Sequence, residues 1–316
     1  MEERIKLGIS TCLLGEHVRY DGGHKLDHFL TDTLGQYVDY LPVCPEVECG
    51  LPIPRESMHL EGNPEQPRLV TSRTHKDMTE QMVTWVKVRL VELEKEDLCG
   101  FIFKSNSPSS GMERVPIINK KGMPDKKGVG IFAKFFMGHF PLIPVEEEGR
   151  LHDPKLRENF IERVFTMKRW RELLRKKWSM GNLVDFHSRN KLLILSHSPK
   201  HYKMMGKLVA DGKSIAMKEL YREYEGILME ALKLKTTFAK NSNVLQHIMG
   251  YFKRQISSDE KQEILEIIQQ YREGYIPLIV PVTLMKHYVR KYKQSYISMQ
   301  TYLNPHPAAL QLRNHV

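Results

Sequence analysis

The sequence predicts an α/β N-terminal half with a parallel sheet, followed by an all-α C-terminal half. Three observations carry this. Up to about residue 148, short apolar runs of strand length alternate with helix-spaced segments. Beyond it, nearly every segment repeats its apolar residues at helical spacing. The charge divides at the same place: residues 1–148 carry five more acids than bases, and residues 149–316 fifteen more bases than acids, within a net +10. Domains of 1–148 and 149–316 are therefore expected.

Taken in order, KLGIS (6–10) reads as a buried strand entering a Gly-punctuated loop that holds Cys12. HFLTDTLGQYV (28–38) has helical spacing, and DYLPV is a second strand ending at Cys44. Pro45 removes a backbone donor and restricts Cys44, so the strand stops there. Five prolines from Pro45 to Lys76, Pro45 included, predict an irregular loop. Asp77 to Glu96 spaces Met78, Met82, Trp85, Val86, Leu90 and Leu93 as an amphipathic helix. CGFIFK (99–104) is a third strand, followed by the loop SNSPSSGMERV, a helix over GIFAKFFMGHF and a last strand, PLIPVE. This alternation implies a parallel, Rossmann-like sheet with helices on both faces. EEEGRLHDP (146–154) reads as a polar junction. Helices are then expected over 155–178, 182–196, 199–210, 214–238, 242–255, 259–273 and 281–293.

Composition narrows the function. Hydrophobic residues at 41% and charged residues at 27% describe an ordinary globular chain, long enough for two cores. No window approaches the ~18 apolar residues of a membrane span, so no membrane partner is expected. Four cysteines behind a start without an apolar signal region predict a reducing, cytoplasmic setting. A local excess of fifteen bases fits an anionic polymer, and nucleic acid is the expected partner. Neither Gly-rich nucleotide fingerprint follows a strand, which argues against a nicotinamide cofactor.

The strand order gives the site. Cys12, the Cys44–Glu46 pair and the Ser107–Gly111 loop each follow a strand, and such loops line one crevice in an open α/β sheet. A soft thiol beside a proton-handling carboxylate suits metal-assisted hydrolysis. Alone, PVCPE reads more readily as a buried cysteine at a strand end with a solvated glutamate.

STCLLGEHVRYDGG, PVCPE with GLPIPR, and FKSNSPSSGMERV together resemble the thiouracil desulfidase (TudS-like) family. That resemblance implies a [4Fe-4S] cluster on three cysteines with one iron open to the sulfur of a thiolated uracil. By motif, Cys12 and Cys44 match two ligands, Glu46 the carboxylate that moves protons, and Ser107 a catalytic hydroxyl. The third cysteine position is Ser110 here, a much poorer iron ligand. Ser110 is then a replaced ligand, a loss of activity, or a gap filled by Cys49 or Cys99. Arg19 and Lys104 flank the loops, within reach of a phosphate or uracil oxygen.

The second half, through FHSRNK, SHSPKHY, HIMGYFK and YLNPHP, resembles the YbgA-type helical domain. The pair resembles the fusion (RudS-like) family, which implies removal of sulfur from 4-thiouridine in tRNA, to give uridine and sulfide without net redox. Basic runs nominate Arg169, Lys176, Arg189, Lys200 and Lys203 for tRNA contact. Trp170, Trp178, Phe186, Tyr202, Tyr288 and Tyr292 are the aromatic residues nominated to stack on bases.

Overall fold

The computed structural model describes residues 4–119 and 122–315. It divides into two compact units, one ending at Asp153 and the next beginning at Pro154. No helix among the described residues is long and apolar enough to cross a membrane.

In the first unit β1 (Ile5–Ser10) leads through a helical turn at Thr11–Leu14, a loop and a short irregular helical stretch over residues 29–36 to β2 (Val38–Val43) and a single helical turn, α1 (Pro45–Glu48). There follow β3 (Met58–Asn63), β4 (Gln66–Thr71), α2 (Thr79–Leu93), β5 (Gly100–Phe103), β6 (Val115–Ile118), β7 (Pro124–Gly128), α3 (Ile131–His139) and β8 (Val145–Glu147). One sheet has the order β2-β1-β5-β8, and every pairing in it is parallel. Its four strands are the four expected from the apolar runs.

A second sheet, β4-β3-β6-β7, corrects the expectation of an irregular loop over 45–76. The prolines misled because they sit where a strand tolerates them. Pro67 lies on the edge strand β4, and Pro124 opens the opposite edge strand β7. Gly62 at φ 91° lets β3 turn towards β4. Leu60, Leu69, Val115 and Ile117 of this sheet share one core with α2, α3 and β5.

Phe101, Phe103, Phe132 and Phe136 are fully buried, with Phe101 and Phe136 centroids 4.7 Å apart. Each contributes roughly 2–3 kcal/mol by burial. Gly8 is required beside them: a Cβ there would lie 2.2 Å from Phe101 Cδ2. The same packing fixes β5 against β1 and so sets where the loop after β5 emerges.

The second unit is helical: α4 (Pro154–Leu174), α5 (Met180–His197), α6 (Pro199–Asp211), α7 (Met217–Lys233), α8 (Phe238–Gly250), α9 (Ser258–Arg272), α10 (Ile279–Lys291) and the short α11 (Ser295–Ser298). Ser179, Ser198, Thr237 and Ser257 accept a backbone N–H at their helix starts, and Ser257 with Glu260 forms a reciprocal capping box. Each cap is worth about 1 kcal/mol. Thr237 fixes the start of α8 at Phe238, and α7 has already ended at Lys233 where Leu234 turns to extended backbone, a break that periodicity ran through.

Trp170 packs on Tyr221 and Tyr224 as the aromatic centre of this unit, and Tyr302 is fully buried against Arg313. Beside them runs a buried ionic network. Arg313 donates from Nη2 to Glu162 Oε1 at 2.7 Å, from Nε to Glu158 Oε1 at 3.2 Å and from Nη1 to the Tyr302 carbonyl at 2.7 Å. His197 lies 3.0 Å from Glu162 Oε2 and 2.7 Å from the Leu234 carbonyl. Burial alone would raise the Glu162 carboxyl; the His197 hydrogen bond and the Arg313 charge outweigh it and hold the group below the ordinary range.

Candidate active site

Parallel pairing places Ser10 beside Val43 and Ile9 beside Ile102, so the loops leaving β1, β2 and β5 start side by side. They line a cavity of about 420 Å³ that includes Cys12, Cys44, Glu46, Ser107 and Ser110. Five residues picked from three separated stretches thus share one wall.

Cys44 is the residue before α1; Pro45 opens the turn, and Glu46 projects from it. Ser109 Oγ donates to Glu46 Oε1 at 2.5 Å, and the Cys44 thiol lies 3.5 Å from Oε2. Arg55 Nη2 stands 3.9 Å from Oε2, while its Nη1 donates to the Val18 carbonyl at 3.0 Å and its backbone N–H to the Tyr20 carbonyl at 2.8 Å. Arg55 therefore ties the loop carrying Arg19 and Tyr20 to the wall of Glu46.

The serine loop is held from behind by α3. Ile131 donates to the Pro108 carbonyl, Ala133 to that of Ser109, and Gly130 to that of Gly111. A Cβ on Gly130 would come within 2.5 Å of the Ser109 backbone, so only glycine permits this approach. Ser107 Oγ accepts the Ser110 backbone N–H at 3.1 Å and lies 3.0 Å from Ser109 Oγ. Ser107, Ser109 and Glu46 thus form a hydroxyl relay into the cavity.

Sequence reasoning missed three supports of this site. Ser109 is fully buried and touches Glu46 directly, and the run of serines was its only signal. Arg55 lies inside the GLPIPR stretch but had no role assigned. Glu146, Glu147 and Glu148, read as a polar junction, are buried at the end of β8. Glu148 accepts from Lys104 Nζ at 2.5 Å and from the Ser105 N–H at 2.7 Å, and Glu147 accepts from the Met112 N–H at 2.6 Å. They fasten the β5 loop. Lys104 and Arg19 both line the cavity, Lys104 paired with Glu148 and Arg19 lying 3.4 Å from Asp21.

Three ligand positions converge, but their chemistry is uneven. Cys12 and Cys44 offer thiols; Ser110, 3% exposed, offers a hydroxyl. The other cysteines do not close the gap. Cys49 points its thiol at the Glu46 carbonyl, 3.2 Å away, and packs on the core, and Cys99 precedes β5 at the far end of the sheet. A cluster held by three thiolates does not fit these residues.

Burial, with the Glu46 charge next, pushes the Cys12 thiol up to about 11 and that of Cys44 to about 12. Both are protonated at neutral pH in the metal-free chain. At pH 8, iodoacetamide should modify them on the order of a hundredfold more slowly than in the urea-unfolded chain. Peptide mass spectrometry reads this, and fast labelling of either would contradict the burial argument.

In the helical unit Lys176, Lys200 and Lys203 are exposed, and Arg189 is exposed while pairing with Asp185 at 2.8 Å. Arg169 is a correction. Its guanidinium donates inward to the Pro305 carbonyl and Thr166 Oγ1, and burial pushes it down to about 10. Most of the nominated stackers are corrected too. Trp170, Phe186 and Tyr288 are buried and Tyr292 donates to Glu260, whereas Trp178 stays 40% exposed with its ring stacked on Tyr221 at 5.1 Å. Aromatic residues between charges face inward on an amphipathic helix, which the local sequence does not reveal. Tyr202 is half-buried.

Residues 7–148 match the family described as 2-thiouracil desulfurase, and residues 191–307 that described as a protein of unknown function, DUF1722. The chain is 33% identical over 158 residues to the uncharacterized protein YbgA of Escherichia coli strain K12, spanning 50% of this chain and 94% of that protein. A solved structure described as a [4Fe-4S]-dependent thiouracil desulfidase, TudS, is 31% identical, covers 48% of this chain and 95% of its own, and has a TM-score of 0.39.

Proposed function

The chain belongs to the family that joins a 2-thiouracil desulfurase-like domain to a YbgA-like DUF1722 domain, and from that premise we propose that it removes sulfur from 4-thiouridine in tRNA. The observation that carries the reading is the shared cavity of Cys12, Cys44, Glu46, Ser107 and Ser110 in the matched region. The net reaction exchanges C=S for C=O: water supplies the oxygen, and sulfur leaves as sulfide.

Glu46 has the geometry of the proton carrier. Ser109 fixes one carboxylate oxygen, leaving the other towards Cys44 and the cavity. It takes a proton from the attacking water and returns one to the departing sulfur. Ser107 offers a hydroxyl to the ring edge, and Arg55 keeps the mouth loop against the Glu46 wall. Iron–sulfur chemistry, which would draw off the sulfur, needs a third thiolate where this chain has Ser110. Bringing the base into the cavity means unstacking it, at a cost of a few kcal/mol that backbone contacts from the basic unit offset.

Ser110 favours one second reading, a tRNA-binding protein without turnover. The two separate in one assay. After anaerobic loading with iron and sulfide, 4-thiouridine in bulk tRNA and free sulfide are measured for the chain and for Ser110→Cys. Matched loss and release support desulfuration, whereas tRNA binding with neither in both proteins supports the silent reading. Faster turnover of free thiouracil than of tRNA would remove tRNA from the proposal. In the active form, Glu46→Gln should be at least about a hundredfold slower with tRNA affinity unchanged, the lower range for loss of a positioned acid/base. An unchanged rate would take Glu46 out of the mechanism.

A further inference from the structure

Trp170, Phe186 and Tyr288 are buried and Trp178 is stacked on Tyr221, while the helical unit carries a second aromatic set beside free cations. Tyr251, just past the end of α8, is 43% exposed. Its ring lies 5.7 Å from that of Tyr296 in α11, tilted by 33°. Lys191 of α5 places Nζ 5.0 Å from the Tyr296 centroid. Among the described residues Lys191 meets no carboxylate. Burial would lower its ammonium, but its place against Tyr296, with Tyr251 nearby, outweighs that and keeps it above its ordinary value.

The patch is built rather than loose. Gln300, 1% exposed, donates to the Ser188 carbonyl at 2.8 Å, and Tyr296 donates to the same oxygen at 3.4 Å, fixing α11 against α5. Gln294 donates to Gln255 at 2.6 Å, fixing the turn after α8 beside the start of α11. That turn carries Lys253 and Arg254, both exposed. Two tilted rings, a lysine held at one ring face and two free cations on the adjoining turn match one kind of ligand. Stacking needs an exposed π-face, and cations beside it need the phosphate that accompanies an unpaired nucleotide.

We infer that Tyr251 and Tyr296, with Lys191, Lys253 and Arg254, form a platform for an unstacked base of RNA and its flanking phosphates. The inference rests on the reading of this unit as the tRNA-holding part and adds where an unpaired nucleotide sits. A purely electrostatic face would bind duplex and single strand alike; this one distinguishes them.

The test is filter binding of the full chain to bulk tRNA, a single-stranded oligouridylate and an RNA duplex over a range of salt. Tyr251→Ala should weaken tRNA and oligouridylate binding about tenfold, leaving the duplex and the salt slope unchanged. Tyr251→Phe should bind as the parent, because the ring is kept. Lys253→Ala should reduce the salt slope by about one. Thermal midpoints of all variants should match, since each side chain is exposed. Parent-like affinity in Tyr251→Ala, or an equal loss in Tyr251→Phe, overturns the platform while leaving tRNA binding standing. No binding of any RNA by the parent overturns both the platform and the tRNA reading.

Discussion

Ser110→Cys is expected to turn a chain that holds iron poorly into one that keeps an iron–sulfur chromophore after desalting. Sulfide release should rise with it. Position 110 is 3% exposed on the cavity wall, its backbone N–H is held by Ser107, and among the described residues its hydroxyl meets only Ser109, at 3.4 Å. A sulfur there adds a soft, acidic donor to the two at Cys12 and Cys44. Even partners one shell removed from a metal change affinity or activity ten- to roughly a hundredfold, so a missing ligand should change both by at least that much. Iron content, the visible spectrum and 4-thiouridine loss are the readouts. Equal iron retention by both proteins would mean that the serine oxygen suffices. No retention by either would remove iron–sulfur chemistry from this cavity.

The second large effect lies in the helical unit and involves no substrate. Arg313→Ala should destabilise that unit by about 3–5 kcal/mol, the usual cost of stranding a buried charge. Glu162, 1% exposed, and Glu158, 9% exposed, would then face each other without their shared cation. Urea denaturation followed at the Trp170 and Trp178 fluorescence reads the midpoint. The triple replacement Glu158→Leu, Glu162→Leu, Arg313→Leu should recover much of the loss, because apolar packing commonly matches a buried ion network. A single variant as stable as the parent would mean that the network contributes little. The pH dependence has a definite sign. The Glu162 carboxyl is depressed in the folded chain, so its contribution is complete above the unfolded value of about 4.3. It is lost as pH falls towards the lower folded value. Acid unfolding of the parent should therefore begin below about pH 4, and Glu162→Gln should flatten that limb.

These two sites differ in how far the sequence revealed them. The cavity wall was legible because its residues are punctuated locally: Cys12 after KLGIS, Cys44 and Glu46 around Pro45, Ser107 and Ser110 in a loop behind GFIF. A strand end marks itself by where the apolar run stops. The supports were not legible, because each is a pairing across the fold. Ser109 meets Glu46 from 63 positions away, Glu148 meets Lys104 from 44, and Arg313 meets Glu162 from 151. The second sheet was hidden for another reason. β3, β4, β6 and β7 are short and half-exposed; Pro67 and Pro124 sit on the edge strands, and Pro116 falls at the irregularity between Val115 and Ile117 in β6. Charge misled in both units: three consecutive glutamates read as solvent-facing are buried anchors, and Arg169 among basic neighbours turns inward.

The pairing of Leu7 with Gly100 has a consequence for how the protein is made. β1 and β2 can meet as soon as both leave the ribosome, which sets Cys12 and Cys44 side by side on a two-stranded edge. β5 closes a loop of more than ninety residues before it can dock, and such distant contacts form late. Until then the nascent chain presents the Cys12 and Cys44 thiols with neither the serine loop nor the β8 glutamates behind them. The docking of Phe101 over Gly8 is thus the event that converts an oxidisable pair of cysteines into a walled cavity. Fragments ending before Gly100 should form a Cys12–Cys44 disulfide in air, with dioxygen as the oxidant, that the complete first unit resists.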